Sequence, residues 1–171
     1  MARRRNRKQT PVSPKYESFS SVPRREVAPL LREALKPYFA KQGASLHFEV
    51  GVERGGSLRA DVIALTMKRK LTVVEVKSGW QDFAADHKWQ RYLSACHQFY
   101  FCFTDTLWNS HADRIREVIA GSGAGVIVVG MNGSVRKVLP APKRPMDVFR
   151  KLWIITKLAW IGGFSQAVRK N

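Results

Sequence analysis

Asp61, Glu75 and Lys77 are ionisable residues set inside two apolar, β-like runs. A charge in such a run is expensive to bury unless it is paired or holds a metal. The runs belong to the stretch LRADVIALTMKRKLTVVEVKSGWQDFAADHKWQRY, Leu58 to Tyr92. Side chains alternate along a strand, so Val74 and Val76 share one face while Glu75 and Lys77 share the other. Asp61 enters from the neighbouring strand. Two carboxylates and an ammonium can then converge. Hard oxygen ligands of this kind suit Mg²⁺, which needs only one or two carboxylates and keeps several waters. Such an ion lowers the pKa of a bound water and offsets charge on a phosphodiester. Lys77 could orient that water or stabilise the developing charge. A bare Glu-x-Lys triplet is common, and a surface ion pair without function is the plain alternative.

The elements that must position these groups can be read around them. Met67-Lys68-Arg69-Lys70 joins the two runs as the turn of an antiparallel hairpin. Before it, residues 24–40 carry Val27, Leu30, Leu31, Ala34, Leu35 and Tyr38 at helical spacing. Residues 45–53 alternate as a half-buried strand, with Leu46, Phe48, Val50 and Val52 inward and Glu49 and Glu53 on the solvent face, an approach of either glutamate to the site being the alternative. After the hairpin a helix is expected over about 80–95, with Ala85, Trp89, Tyr92, Leu93 and Cys96 as its inner stripe and Asp82 at its start. Trp80 and Phe83 read as packing residues, with base stacking as the alternative. Phe99–Phe103 is apolar on both faces and reads as a central strand. A short helix is expected over 111–120, then a buried strand at Val126–Val129. Asn132-Gly133 makes a tight turn into Val135–Val138. A last helix is expected from about Met146 to Ile161, ended by Gly162-Gly163. It reads as a capping helix, with a membrane surface, a protein partner or a DNA path as the alternatives.

In this order the chain resembles a known family. Asp61, then Glu75-x-Lys77 on a hairpin, then a helix is similar to the PD-(D/E)xK nuclease superfamily. The run Ser78 to Tyr92 resembles the S-x-x-x-D-F-x-x-D-x-K-W-x-x-Y pattern of MmcB-like bacterial DNA repair proteins, and the similarity spans about residues 24–161. Ala60 stands where the superfamily name has Pro, a position that often departs. The resemblance implies Asp61 and Glu75 as metal ligands, the Val76 carbonyl as a third, and Lys77 as the catalytic lysine. It also brings Lys88 and Tyr92 toward the site as accessory residues. Some superfamily members bring a helix-borne Glu to the metal, and Glu33 is the candidate here, with a solvated helix face as the alternative. The implied fold is α/β with a restriction-endonuclease-like core: a small mixed sheet flanked by helices, in the order αβββαβ, plus a strand pair and a C-terminal helix.

The totals agree with a polyanionic partner. The 171 residues carry a formal charge of +17, which points to nucleic acid before an anionic membrane. Arg3, Arg4 and Arg5 head a basic tail expected to lie disordered over 1–20, and a second basic tail covers 163–171. Between them a single domain is expected over 21–162. Lys88, Gln90 and Arg91 are further candidates for phosphate contacts. Cys96 and Cys102 match no zinc spacing and read as buried thiols. No secretory h-region and no run of membrane-spanning length appears, so a cytoplasmic location is expected. The function expected is Mg²⁺-dependent DNA hydrolysis, with Mn²⁺ as a substitute ion. The alternative is a non-catalytic nucleic-acid-binding accessory factor. Single-stranded, duplex and branched DNA all remain open as partners, as does a homodimer. No small-molecule cofactor is expected.

Overall fold

The structure, a computed structural model, describes residues 12–13 and 15–168, with side chains as far as Gly162. Arg3, Arg4 and Arg5 lie outside the described residues, as do residues 169–171 of the C-terminal tail.

The hydrophobic periodicities build one mixed six-stranded sheet between two helical layers. Helix α1 (Arg24–Ala40) is followed by β1 (Ala44–Gly51), β2 (Arg59–Thr66) and β3 (Leu71–Val76), an antiparallel meander. Helix α2 (Trp80–Ala84) and a 3₁₀ segment (Trp89–Ala95) lead into β4 (Gln98–Thr104). Helix α3 (Asp105–Ile119), β5 (Ala124–Val129), β6 (Val135–Leu139) and α4 (Val148–Val168) complete the order. The strands lie in the sheet as β1-β2-β3-β4-β5-β6. β4 is parallel to both β3 and β5, and β6 returns antiparallel. An all-apolar β4 belongs there, because parallel strands are covered on both faces. Leu31, Leu35 and Phe39 of α1 cover one face, against Val62, Val74, Tyr100 and Ile127. Phe83, Trp89, Ile115, Ile154 and Leu158 cover the other, against Val73, Phe99, Phe101 and Val128.

Five expectations need correction. The helix expected over 80–95 is broken at Ala85–Lys88. There the Asp86 carboxylate accepts from Lys88 N–H at 2.9 Å, and such side-chain-to-backbone bonds compete with helix. Ala85 is consequently exposed rather than part of the inner stripe. Helix α3 begins at Asp105 rather than 111, because Thr104 caps it directly off β4, accepting from Leu107 N–H at 3.0 Å. Helix α4 does not stop at Gly162 but runs to Val168; a helical glycine costs only about 1 kcal/mol and ends a helix only by turning left-handed. The segment 12–20 is not wholly a free tail, since Phe19 is buried and Val12 and Tyr16 pack on the α1 side of the core.

The fifth concerns β1. Leu46 and Phe48 pack on the α1 side of the sheet, whereas Val50 and Val52 pack on the opposite side. The alternation reverses at Glu49, whose φ is +55°. β2 reverses beside it: Ala60 faces one layer and Val62 the other. Glu49 and Asp61 therefore sit at a shared kink, between the pairs Phe48–Val62 and Val50–Ala60. A left-handed Glu is strained by about 1–3 kcal/mol, and strain of that kind clusters at functional sites.

Candidate active site

The β2–β3 ladder ends at the pair Val62–Val74. Beyond it the kinked strands no longer exchange backbone bonds, and two carboxylates take over. Glu75 Oε1 accepts from Asp61 N–H at 3.1 Å, and Asp61 Oδ2 accepts from Val76 N–H at 2.8 Å. Each acidic side chain thus anchors the strand carrying the other. Asp61 Oδ1 accepts from Arg32 Nη2 at 2.9 Å. Arg32 also pairs with Glu49, which takes Arg59 Nε at 2.8 Å through its other oxygen. Lys77, one strand step past Glu75, is buried and reaches Asp86 Oδ2 at 2.6 Å.

Asp61, Glu75 and Lys77 are thus brought to one place, at the splayed ends of adjacent strands. Glu49, Asp61, Glu75 and Asp86 are four of only 13 acidic residues in a chain of net charge +17. Arg32, Arg59 and Lys77 are the three cations among them, which leaves the cluster one negative charge in excess when all are ionised.

The excess falls on Glu75. It is only 6% exposed and, among the described residues, has no cation of its own within ion-pair distance. Burial first, then the neighbouring Asp61 charge, push its carboxyl up to about 8. Burial also raises Asp61, against the opposing effects of the Val76 N–H and the Arg32 guanidinium. Desolvation and like charge are the two ways a carboxylate is driven neutral. Burial and the nearby carboxylates raise Tyr92 too, and its hydroxyl donates to Arg59 O at 2.7 Å.

Among the described residues, no group of three or more His, Cys, Asp or Glu side chains is arranged as a ready cage for a metal ion. The donor set still fits Mg²⁺, which needs only one or two carboxylates. Glu75 is the buried, unbalanced oxygen donor that a dication would satisfy.

The other sequence candidates are placed as follows. Glu33 is exposed and pairs with Lys36 at 2.6 Å; the neighbouring Arg32, not Glu33, points from α1 into the site. Lys88 is exposed in the break after α2, where it borders a hollow with Lys77 and Asp86. Gln90 is exposed, and Arg91 bonds Glu53 Oε2 at 2.5 Å. Tyr92 supports the backbone of β2 through its bond to Arg59 O. Phe83 is core, and Trp80 stacks on His111 with ring centres 4.9 Å apart. His97 is structural: its Nδ1 accepts from Leu71 N–H at 3.1 Å. Reasoning from sequence missed Arg32 and, for Glu49, preferred a solvent-facing position to an approach to the site. The one available signal was a glutamate in the middle of the half-buried β1 run, and no local pattern foretells the left-handed turn there. Among the described residues no helix is long and apolar enough to cross a membrane.

No curated protein matches the chain. Among solved structures it is similar to SPO1766, a protein of unknown function from Silicibacter pomeroyi. The two share 25% identity at a TM-score of 0.67, over 81% of this chain and 88% of that one. That likeness agrees with the helix-flanked mixed sheet. Residues 18–134, which hold both carboxylates, Lys77 and the whole of β1 to β5, match the family described as DNA repair protein MmcB-like. With that span covered, the chain belongs to the MmcB-like family of DNA repair proteins.

Proposed function

We propose that this protein is a Mg²⁺-dependent DNA nuclease with a restriction-endonuclease-like core, hydrolysing phosphodiester bonds in DNA repair. The observation that carries the reading is Glu75: a buried carboxyl beside a second carboxyl, with Lys77 one step away, at the splayed end of a hairpin. Asp61 and Glu75 would hold the ion, with the Val76 carbonyl as a third oxygen. Mn²⁺ would substitute. When bound, the ion would supply an acidified water and offset charge on the phosphate.

The chain's own groups have defined tasks. Glu75 gives up its proton to become a ligand. Arg32 yields Asp61 Oδ1 while keeping its bond to Glu49, so the cation leaves without losing a partner. Lys77 is fixed by Asp86 at 2.6 Å in a dry setting, where an ammonium acts more strongly on developing charge than it would in water. Water oxygen forms the new bond to phosphorus as the bond to the leaving sugar oxygen breaks. Arg59, exposed beside Asp61, and Lys88 meet flanking phosphates.

Asp61→Asn or Lys77→Ala is expected to abolish Mg²⁺-dependent cleavage of branched, single-stranded and duplex DNA while DNA binding, followed by anisotropy, survives. Undiminished cleavage by both purified variants would refute the assignment.

A second reading, a DNA-binding accessory factor on the same fold, is favoured by one observation. Arg32 already neutralises Asp61, and Asp86 already engages Lys77. Salt-sensitive DNA binding with no cleavage under Mg²⁺ or Mn²⁺ would select it.

A further inference from the structure

Past the kink, β1 runs on to Gly51 and the chain continues to Val52, three residues beyond Glu49, or about 10 Å at the ordinary strand rise. There the chain opens into a hollow of ≈ 470 Å³ between the end of β1 and the first turns of α4. That volume lies within the range of small-ligand sites. Trp153 and Phe149 line it with Arg54. Phe149 is 80% exposed, although α4 is tied to the end of β1 beside it. Arg150 donates to Ser94 Oγ at 2.8 Å and to Val52 O at 3.3 Å, and Lys157 donates to Gly51 O at 2.9 Å. These bonds cover the carbonyls of an edge strand and hold the helix rigid behind the ring. Two cations lie over the Trp153 ring, Arg54 at 5.9 Å and Lys157 at 5.0 Å. Arg54 has no carboxylate within ion-pair distance among the described residues, whereas Glu53 of the same wall is taken by Arg91. The hollow thus offers an exposed ring, a second aromatic wall and a guanidinium with no carboxylate partner among the described residues.

We infer that this hollow binds one unpaired nucleotide of a DNA strand, its base stacked on Phe149 against Trp153 and its phosphate met by Arg54. The ligand is chosen by complementarity. A flat aromatic group carrying an anion matches exposed rings beside a free guanidinium, and a chain of charge +17 favours a polyanion over an apolar peptide. The inference rests on the reading of this protein as one that engages DNA beside Asp61 and Glu75. It narrows the substrate to strands with an unpaired nucleotide near the reacting phosphate: single strands, flaps and frayed junctions rather than continuous duplex.

The test uses the full chain in EDTA, with anisotropy on two oligonucleotides of about a dozen nucleotides. One is oligothymidine; the other is abasic, with the same number of phosphates. Wild type is expected to bind oligothymidine about 5-fold or more tighter, the lower end of what one stacked base contributes. Phe149→Ala is expected to bring oligothymidine down to the abasic affinity and leave the abasic affinity unchanged, and Phe149→Tyr to preserve the difference. Equal affinities in wild type, or a difference that Phe149→Ala leaves intact, would overturn the inference. So would a loss of both affinities together, or Phe149-dependent binding to anionic vesicles with oligothymidine binding untouched. The outcome is independent of catalysis. A chain that binds in this way and never cleaves removes the nuclease reading alone; one that cleaves while Phe149→Ala changes neither affinity removes only the base pocket.

Discussion

Replacing Glu75 by Gln tests the central electrostatic argument without any substrate. The Glu75 carboxyl sits near 8 rather than its usual 4.5, chiefly through burial and then through Asp61. Its folded-state pKa is therefore raised, so the folded chain retains a proton that the unfolded chain releases. Stability must fall as pH rises between about 4.5 and 8, because over that window the native state binds more protons. A shift of this size corresponds to on the order of 4 kcal/mol, most of it already lost at pH 7. Glu75→Gln has nearly the same shape, keeps an oxygen for the Asp61 N–H and cannot ionise. In EDTA at pH 8 the variant is expected to be more stable by on the order of 3 kcal/mol. For a chain of this length that raises Tm by roughly 10 °C. At pH 5 the advantage should shrink to under about 1 kcal/mol, because the folded-state carboxyl is still protonated and this pH lies only slightly above the unfolded value of 4.5. Thermal melts followed by circular dichroism from pH 5 to 8.5 measure both limits. A variant that melts below wild type at pH 8, or a gap that does not widen with pH, would refute the claim that Glu75 is an uncompensated buried acid.

If that acid is a ligand, Mg²⁺ and protons compete for it, so Mg²⁺ should raise the wild-type Tm more at pH 8 than at pH 6; at a hundred times the dissociation constant the stabilisation is about 2.7 kcal/mol. The same increments in Glu75→Gln, or none in wild type, would remove Glu75 from the ligand set. Arg32→Ala removes the cation that already occupies Asp61 Oδ1, and is expected to tighten Mn²⁺ binding several-fold in calorimetry. Unchanged or weaker binding would show that the guanidinium and the ion do not share the carboxylate.

The amino-acid sequence by itself determined the hairpin, the helix over 24–40, the central apolar strand and the tight turn at Asn132-Gly133. Each follows from a period or a turn chemistry carried by adjacent residues. It also determined that Glu75 and Lys77 share a face, because alternation along β3 is local and the extended chain continues one residue past its end, where Lys77 N–H bonds Cys102 O. Alternation failed for β1, where one left-handed residue, Glu49, turned Val50 and Val52 to the other side of the sheet. Helix α2 ended early for a related reason, since the Asp86 carboxylate bonds the Lys77 ammonium and its own chain at once. Only the tertiary structure decided which charges meet Asp61. Arg32 lies 29 residues away in sequence, and choosing it over Glu33 depends on how α1 is rotated on the sheet, which the packing of Leu31 and Leu35 sets. The aromatic hollow depends likewise on α4 crossing the end of β1, through bonds spanning 98 and 106 residues. Periodicity tells which side of an element is apolar; the charges opposite its polar side come from distant segments, and packing alone brings them there.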